Sequence, residues 1–297
     1  MLNYHETPIQ EINTALLSDA GVRLLIKRED LNHPEISGNK WWKLKYNLQE
    51  AVRLGHHTLL TFGGAYSNHI FATAAAAHEL GLKSIGIIRG EETMPLNHTL
   101  AFAKGKGMQL YYVSREAYRH KTETEFIKRL EKQCGNFYLI PEGGTNELAV
   151  KGCAEFAEKT HSEINFDYLC VPVGTGGTMS GMIKGIDDSK KILGFSSLKG
   201  RGFLEVGIKK LLKHQENNWR LITDYHFGGH AKATVELVRF TNQMNTDSRL
   251  PLDPVYTAKM MFGIFDLVKK GYFEKGSTLL AVHTGGLQGK LMMTMKF

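Results

Sequence analysis

Short β-rich apolar runs alternate with amphipathic helical patterns along nearly the whole chain, and that alternation limits the fold more than any single motif does. Residues 22–27, 58–62, 84–88, 109–113 and 137–140 read as strands in the first half, and 168–173, 191–195, 220–224 and 278–283 in the second. Apolar residues at helical spacing occupy the intervals at 40–54, 67–80, 95–104, 123–132, 147–159, 179–186, 205–212, 233–241 and 254–269. A nearly continuous apolar strand has to be buried on both faces, so an α/β fold follows, with parallel-rich sheets flanked by helices. Right-handed crossovers then gather the strand-to-helix turns at one edge of each sheet, where ligands bind. No linker is rich in proline or serine and no repeat is present. Any division is therefore compact, with seams near Lys43 and near Gly143-Gly144-Thr145-Asn146.

The 297 residues suffice for one large domain or two smaller ones. No apolar run approaches the roughly 20 residues that span a bilayer, so no membrane partner is expected. The first residues, Met1-Leu2-Asn3-Tyr4-His5-Glu6, lack the basic-then-apolar order of a secretory signal, and the printed chain reads as the mature protein. Cys134, Cys153 and Cys170 are an odd number without metal-ligand spacing; they read as buried thiols in a reducing cytoplasm, and no metal is expected. The net charge of +7 comes from lysine pairs scattered among acidic residues. A nucleic-acid face would concentrate Lys and Arg with interleaved aromatics, so no nucleic acid is expected, although the charge would draw an anionic substrate or cofactor.

Ser37-Gly38-Asn39-Lys40 puts a lysine after a tight turn and at the start of a helix carrying Trp41, Trp42, Leu44 and Leu48. A helix start and partial burial both lower a lysine pKa. A neutral amine attacks aldehydes, so the setting suits a Schiff-base lysine as well as it suits a solvated surface one.

Four further turns carry polar groups. Gly63-Gly64-Ala65-Tyr66-Ser67-Asn68-His69 joins a strand to an alanine-rich helix; Ser67 and Asn68 there suit a carboxylate, or simply cap the helix. Gly174-Thr175-Gly176-Gly177-Thr178 forms a nest of N–H donors and hydroxyls fit for a phosphate. It lacks a Walker lysine and a Rossmann acidic residue, which disfavours a nucleoside triphosphate. His283-Thr284-Gly285-Gly286 ends the last strand with a hydroxyl and two bare backbone positions. Asp253-Pro254-Val255-Tyr256-Thr257 reads as an N-cap and first turn that bring Tyr256 and Thr257 to the preceding loop. One amine, one phosphate nest and one carboxylate cradle at Ser67, Asn68 and His69 indicate pyridoxal 5′-phosphate with a small amino-acid substrate.

These pieces resemble, in order and over nearly the whole chain, the fold-type II pyridoxal-phosphate enzymes, which have the tryptophan synthase β-subunit architecture. Within them the chain resembles the 1-aminocyclopropane-1-carboxylate deaminase and D-cysteine desulfhydrase family. The resemblance rests on Lys27-Arg28-Glu29-Asp30-Leu31, Gly38-Asn39-Lys40, Ser67-Asn68-His69, Gly143-Gly144, Gly174 to Thr178, Asp253-Pro254-Val255-Tyr256 and His283-Thr284-Gly285-Gly286. It implies a larger domain (1–43 and 146–297), a smaller one (44–145), the cofactor between them and a homodimer. It implies Lys40 as the lysine bound to the cofactor, Asn68 at the ring hydroxyl, Ser67 at the substrate carboxylate and Tyr256 acting on substrate. Gly174, Thr175, Gly176, Gly177, Thr178, Thr257 and Thr284 complete the cofactor set, and His69 and His230 the substrate set.

Deaminases in this family carry Glu after the tyrosine, where it faces the pyridine nitrogen, and Gln where this chain has His69. Thr257 and His69 resemble the desulfhydrases. The resemblance therefore implies α,β-elimination from a small amino acid such as D-cysteine. Ring opening of the cyclopropane substrate, another reaction on the same scaffold, and a cofactor-binding protein with altered turnover stay open. His230 in place of a tyrosine, Tyr66 in place of glutamine and the Trp41-Trp42 pair are departures expected to alter the pocket.

Overall fold

A computed structural model describes residues 2–200, 202–212 and 217–288. Its elements are β1 (Ile9–Ile12), α1 (Ala15–Ala20), β2 (Arg23–Lys27), α2 (Asn39–Arg53), β3 (Thr58–Gly64), α3 (Asn68–Glu79), β4 (Lys83–Arg89), α4 (His98–Gly105), β5 (Met108–Val113), α5 (Thr124–Cys134) and β6 (Tyr138–Ile140). There follow α6 (Glu147–Glu163), β7 (Tyr168–Val173), α7 (Gly177–Gly185), β8 (Lys191–Ser196), α8 (Gly202–Leu212), β9 (Trp219–Ile222), α9 (Val235–Asp247), α10 (Thr257–Lys269) and β10 (Thr278–Val282).

The strands form two sheets, of order β1-β2-β10-β7-β8-β9 and β5-β4-β3-β6. Every pairing is parallel except β1 with β2. The antiparallel β1 and the short α1 are additions to the expected alternation. Neither is long enough to show a period. β1 is an edge strand with mixed burial, while α1 is held by its ends, with Thr14 capping and Gly21 left-handed at φ 64°. The last long helix is also shorter than expected. It starts at Thr257 rather than Pro254, because the Asp253 carboxylate takes the N–H groups of Val255 (2.9 Å) and Tyr256 (2.6 Å) in a turn ahead of the helix.

In each sheet the chain reverses its direction of progress beside a central strand: between β3 and β6 in the smaller, between β7 and β10 in the larger. Crevices at the carboxyl ends of such reversals are where open α/β sheets take ligands. α2 lies where both reversals meet. Its Leu44 and Leu48 share one buried cluster with Leu59 of β3, Val171 of β7 and Leu280 of β10. Lys43 falls inside this helix, and Gly143-Gly144 lies in the turn between β6 and α6.

Trp41 and Trp42 point away from the crevice. Their indole nitrogens donate to the Asn3 carbonyl and to Glu29, each at 2.7 Å, and both rings pack against Tyr4. A rotation of about 100° per residue carries them off the face that holds Lys40. The expected effect of this pair on the pocket is thus replaced by a role in the core.

Glycines let the central helices approach backbone to backbone. A Cβ on Gly152 of α6 would lie 2.0 Å from the Trp42 carbonyl oxygen of α2, and one on Gly181 of α7 would lie 2.3 Å from the Cys153 Cβ. Gly152→Ala should therefore destabilise the fold by roughly 1–3 kcal/mol, through forced separation of α2 and α6. The measurement is a urea midpoint: a clear fall at unchanged slope is expected, and a wild-type midpoint would contradict the close approach.

Candidate active site

The turn before α2 is built from buried polar groups. Glu29 is 0 % exposed and accepts from Thr7 Oγ1 (2.6 Å), Trp42 Nε1 (2.7 Å), Asn32 Nδ2 (2.9 Å) and Tyr4 Oη (3.1 Å). Burial pushes its carboxyl pKa up, against the hydrogen bonds of Thr7, Trp42 and Tyr4 and the charge of Lys27. Asn32 in turn accepts the Gly38 N–H (2.9 Å) and donates to the Gly38 carbonyl (3.1 Å). Gly38 itself is left-handed (φ 70°), and a Cβ there would sit 2.0 Å from the Thr284 carbonyl oxygen. Only glycine allows the loop after β10 to close on the start of α2.

Lys40 and Lys43 project from the same side of α2, three residues apart. Lys40 Nζ donates to Asn39 Oδ1 (2.8 Å), and Asn39 Nδ2 donates to Thr178 Oγ1 on α7 (2.7 Å). Burial lowers the Lys40 pKa to about 8, with Asp253 opposing. Lys43 Nζ donates to Thr145 Oγ1 (3.0 Å), and Thr145 Oγ1 lies 2.5 Å from Thr175 Oγ1. Burial, then the neighbouring Lys40, lower the Lys43 pKa to about 7. Among the described residues, neither ammonium has a carboxylate within ion-pair distance.

The Gly174–Thr178 turn enters α7 through Gly176 (φ 86°), and no side chain caps this helix. An uncapped helix N-terminus with a lysine beside it presents positive charge to one point, which suits an anion. Tyr256 covers the first glycine of the turn: a Cβ on Gly174 would come within 3.0 Å of its ring and 3.3 Å of its hydroxyl. Burial raises the phenol pKa, reinforced by Asp253 and Glu142.

The turn after β3 supplies the opposite wall. Ser67 caps α3, its Oγ accepting from the N–H groups of His69 (3.2 Å) and Ile70 (3.3 Å), which leaves its own proton free to donate. Asn68 accepts from Gln288 Nε2 and hydrogen-bonds Asp253. Asn68, Lys40, Ser37, Thr284, Gly286 and Gln288 line one small cavity. His69 is 1 % exposed and turns inward beneath the wall. Thr61 gives its proton to the Ile140 carbonyl (2.8 Å), so it accepts from His69 Nε2–H (2.8 Å). The other ring nitrogen, Nδ1, is buried without a partner among the described residues. Burial and the two lysines hold this imidazole neutral, well below its usual pKa.

Thr257 is wholly buried; its hydroxyl accepts the Asp253 N–H (2.7 Å) and faces the Asp253 carbonyl (3.3 Å). His283 shapes the turn after β10, donating through Nε2 to the Pro251 carbonyl (2.6 Å) and accepting the Gly285 N–H at Nδ1 (3.2 Å). His230 lies at the rim, its ring 5.8 Å from that of Tyr256.

The structure thus brings Lys40, Asn68, Thr284 and the Gly174–Thr178 turn to one crevice, with Ser67 and Tyr256 on its walls, His69 beneath and His230 at its mouth. Sequence reasoning passed over Lys43, Asn39, Gln288 and the side chain of Asp253. The i, i+3 spacing of Lys40 and Lys43 was a readable signal. Asp253, read only as a helix cap, is joined to the site by Asn68 and by burial, which pushes its pKa up to about 7. Among the described residues, no cluster of three His, Cys, Asp or Glu side chains is placed to hold a metal ion.

A phosphate-bearing aldehyde cofactor fits these residues. The uncapped α7 with Lys43 offers a seat for a dianion, Lys40 an amine, and the Gly38–Thr284 closure holds both in place.

Comparison with known proteins agrees. The family model for pyridoxal-phosphate dependent enzymes matches residues 1–285. The bifunctional D-cysteine desulfhydrase/1-aminocyclopropane-1-carboxylate deaminase, mitochondrial, of Arabidopsis thaliana is 33% identical over 308 residues, covering 95% of this chain and 77% of the plant protein. A Pyrococcus horikoshii relative with the provisional name 1-aminocyclopropane-1-carboxylate deaminase is 33% identical over 298 residues, covering 96% of this chain and 90% of the relative. A crystal structure titled as an ACC deaminase homologue superposes with a TM-score of 0.88 at 31% identity, covering 100% of this chain and 94% of the other. With a match that runs from residue 1 to residue 285, the chain belongs to the pyridoxal-phosphate dependent enzyme family and has its fold-type II architecture.

Proposed function

We propose that the protein catalyses α,β-elimination from a small amino acid, of which D-cysteine is the model: D-cysteine and water give pyruvate, ammonia and hydrogen sulfide. The observation that carries this reading is the pairing of the buried Lys43 and the partly buried Lys40 with the uncapped start of α7. Pyridoxal phosphate, when bound, supplies an aldehyde that captures amines and a ring that accepts an electron pair. Lys40 provides the amine for that aldehyde and, as a neutral base, accepts the substrate α-proton. Lys43 and the Gly174–Thr178 turn hold the phosphate, with the hydroxyls of Thr175 and Thr178. Asn68 meets the ring hydroxyl, Thr257 the pyridine nitrogen, and Thr284 the remaining ring edge.

On the substrate side, Ser67 has a free hydroxyl proton for the carboxylate. His69 supports that wall through its hydrogen bond to Thr61, Tyr256 serves proton transfer at the leaving group, and His230 closes the rim. Thr257 is uncharged and already bonded to the Asp253 backbone, so it cannot hold a ring nitrogen protonated as a carboxylate would. That difference favours loss of a β-substituent over ring opening. Deamination of 1-aminocyclopropane-1-carboxylate is the second reading, favoured by the plant relative, whose name holds both activities.

The same reading divides the chain into a larger domain (1–43 and 146–297) and a smaller one (44–145), one per sheet, in a cytoplasmic homodimer. The three free thiols support a reducing compartment. Among the described residues no helix is long and apolar enough to cross a membrane.

Three results test this. In cofactor-free protein, acetaldehyde with cyanoborohydride should label Lys40 half-maximally near pH 8, because its lowered pKa makes the amine neutral there, against about pH 10.4 for an exposed lysine. Labelling that rises only above pH 10 would refute a buried amine. Lys40→Ala should lower the rate of keto-acid release from D-cysteine by at least about 10²–10⁴-fold, and undiminished release would sink the mechanism. Thr257→Glu should raise 2-oxobutyrate formation from the cyclopropane substrate relative to pyruvate from D-cysteine. An unchanged ratio would remove Thr257 as the determinant.

A further inference from the structure

Another buried lysine lies one turn beyond Tyr256 on α10. Lys259 is 1 % exposed, and its ammonium donates to the backbone carbonyls of His226 (2.9 Å) and Gly229 (2.8 Å). Among the described residues it has no carboxylate within ion-pair distance, and burial lowers its pKa to about 8. Both carbonyls belong to the loop between β9 and α9, whose backbone is unusual. Phe227 (φ 51°), Gly228 (92°), Gly229 (115°) and Ala231 (56°) are all left-handed, so two residues bearing a Cβ are held where side chains are disfavoured.

Local contacts shape this loop without tying it to α10. The Gly228 N–H meets His226 Nδ1 (2.9 Å), and the Gly229 N–H meets the His226 carbonyl (2.9 Å). At its start the loop is tied to α10 by the Tyr225 hydroxyl, which donates to Asp266 (2.6 Å), and by the edge-on packing of Phe227 against Phe262 (5.0 Å); at 226–229, where it turns toward His230, its hydrogen bonds to α10 are those of Lys259. The residue displayed between Gly229 and Ala231 is His230, tilted over the Tyr256 ring at 60°. A buried cation without an acidic partner adds little stability, since an apolar side chain of similar length would fill its space. What it does provide is a fixed point for two carbonyls that face it only in this loop conformation.

We propose that Lys259 is a positioning residue for substrate recognition: it clamps the left-handed 226–231 loop to α10 so that His230 faces Tyr256 and discriminates between amino-acid side chains at the mouth of the crevice. This rests on the reading above that the Tyr256 side takes the substrate. Lys259 and Tyr256 share one helix, three residues apart, so the clamp references His230 to the same rigid element that carries Tyr256. The imidazole of His230 is exposed at the mouth, where partial desolvation and the cations of Lys259 and Arg89 lower its pKa, with Glu142 opposing. It can therefore donate or accept one hydrogen bond to a polar β-substituent such as a thiol or hydroxyl, and has none to offer an alkyl side chain.

The test combines two readouts on the cofactor-loaded enzyme. Hydrogen exchange without substrate should show faster exchange at 226–231 in Lys259→Met, with β7 and β10 unchanged. In steady-state kinetics Lys259→Met should raise KM for D-cysteine about tenfold, with a much smaller fall in kcat, as expected for loss of ground-state contacts. The same substitution in a His230→Ala background should raise KM no further, because the effect passes through the missing imidazole. Equal KM effects in both backgrounds would overturn the proposal, as would unchanged loop exchange. If Lys259→Met does not fold, Lys259→Gln keeps an amide donor for the two carbonyls and enters the same cycle. Exchange is read without substrate, so the two readings fail separately: absence of turnover in the wild type sinks the functional reading, and an unaltered loop sinks the clamp.

Discussion

The closure of Gly38 onto the carbonyl of Thr284 is the contact on which the rest of the site depends. It joins the start of α2 to the end of β10, and it is possible only because residue 38 has no side chain and a left-handed backbone. The polar groups beneath it, Glu29, Asn32 and Trp42, are fully engaged with one another, which gives the turn a single conformation. From that anchored turn α2 runs between the two sheets and aims Lys40 and Lys43 at the N-terminus of α7. Moving the turn would separate the amine from the anion seat, since both are referenced to it.

The electrostatics of the crevice follow from burial more than from pairing. Two lysines stand side by side with reduced basicity, and the acid nearest them, Asp253, has its charge discouraged by the same burial. A site of this kind is unbalanced without an anion and becomes balanced when one is bound. The uncapped helix adds to the imbalance in the same direction. An attraction for anions is thus built into the folded chain before any ligand enters.

Around this charged centre the walls are neutral and directional. Ser67 offers a proton, His69 is locked in one tautomer by Thr61, and Tyr256 is kept protonated. Each is fixed by a backbone element: the cap of α3, the strand β3 and the first turn of α10. Thr257 spends its hydroxyl on the backbone of Asp253, so the local turn ahead of α10 also fixes that side chain.

Much of this was legible in the residues themselves. Apolar runs such as 168–173 and the alanine-rich 68–79 segment declare strand and helix because their periodicities follow from local geometry. The glycine turns at 63, 174 and 285 each left capping or plain turn formation open beside ligand approach, and pointed to a cofactor only in combination with Lys40. The edge strand β1, the short α1 and the late start of α10 were not legible, since each is decided by a partner distant in sequence or by a side chain that competes for backbone donors. The sequence by itself determined which groups exist and on which side of each element they emerge. Only the tertiary structure decided that Lys43 would stand beside the Gly174–Thr178 turn, that Trp41 and Trp42 would leave the pocket for the core, and that Lys259 would bond the loop of His230. Charge, burial and reach depend on which elements pack together, and that packing joins residues more than two hundred positions apart, as where Arg23 pairs with Thr278.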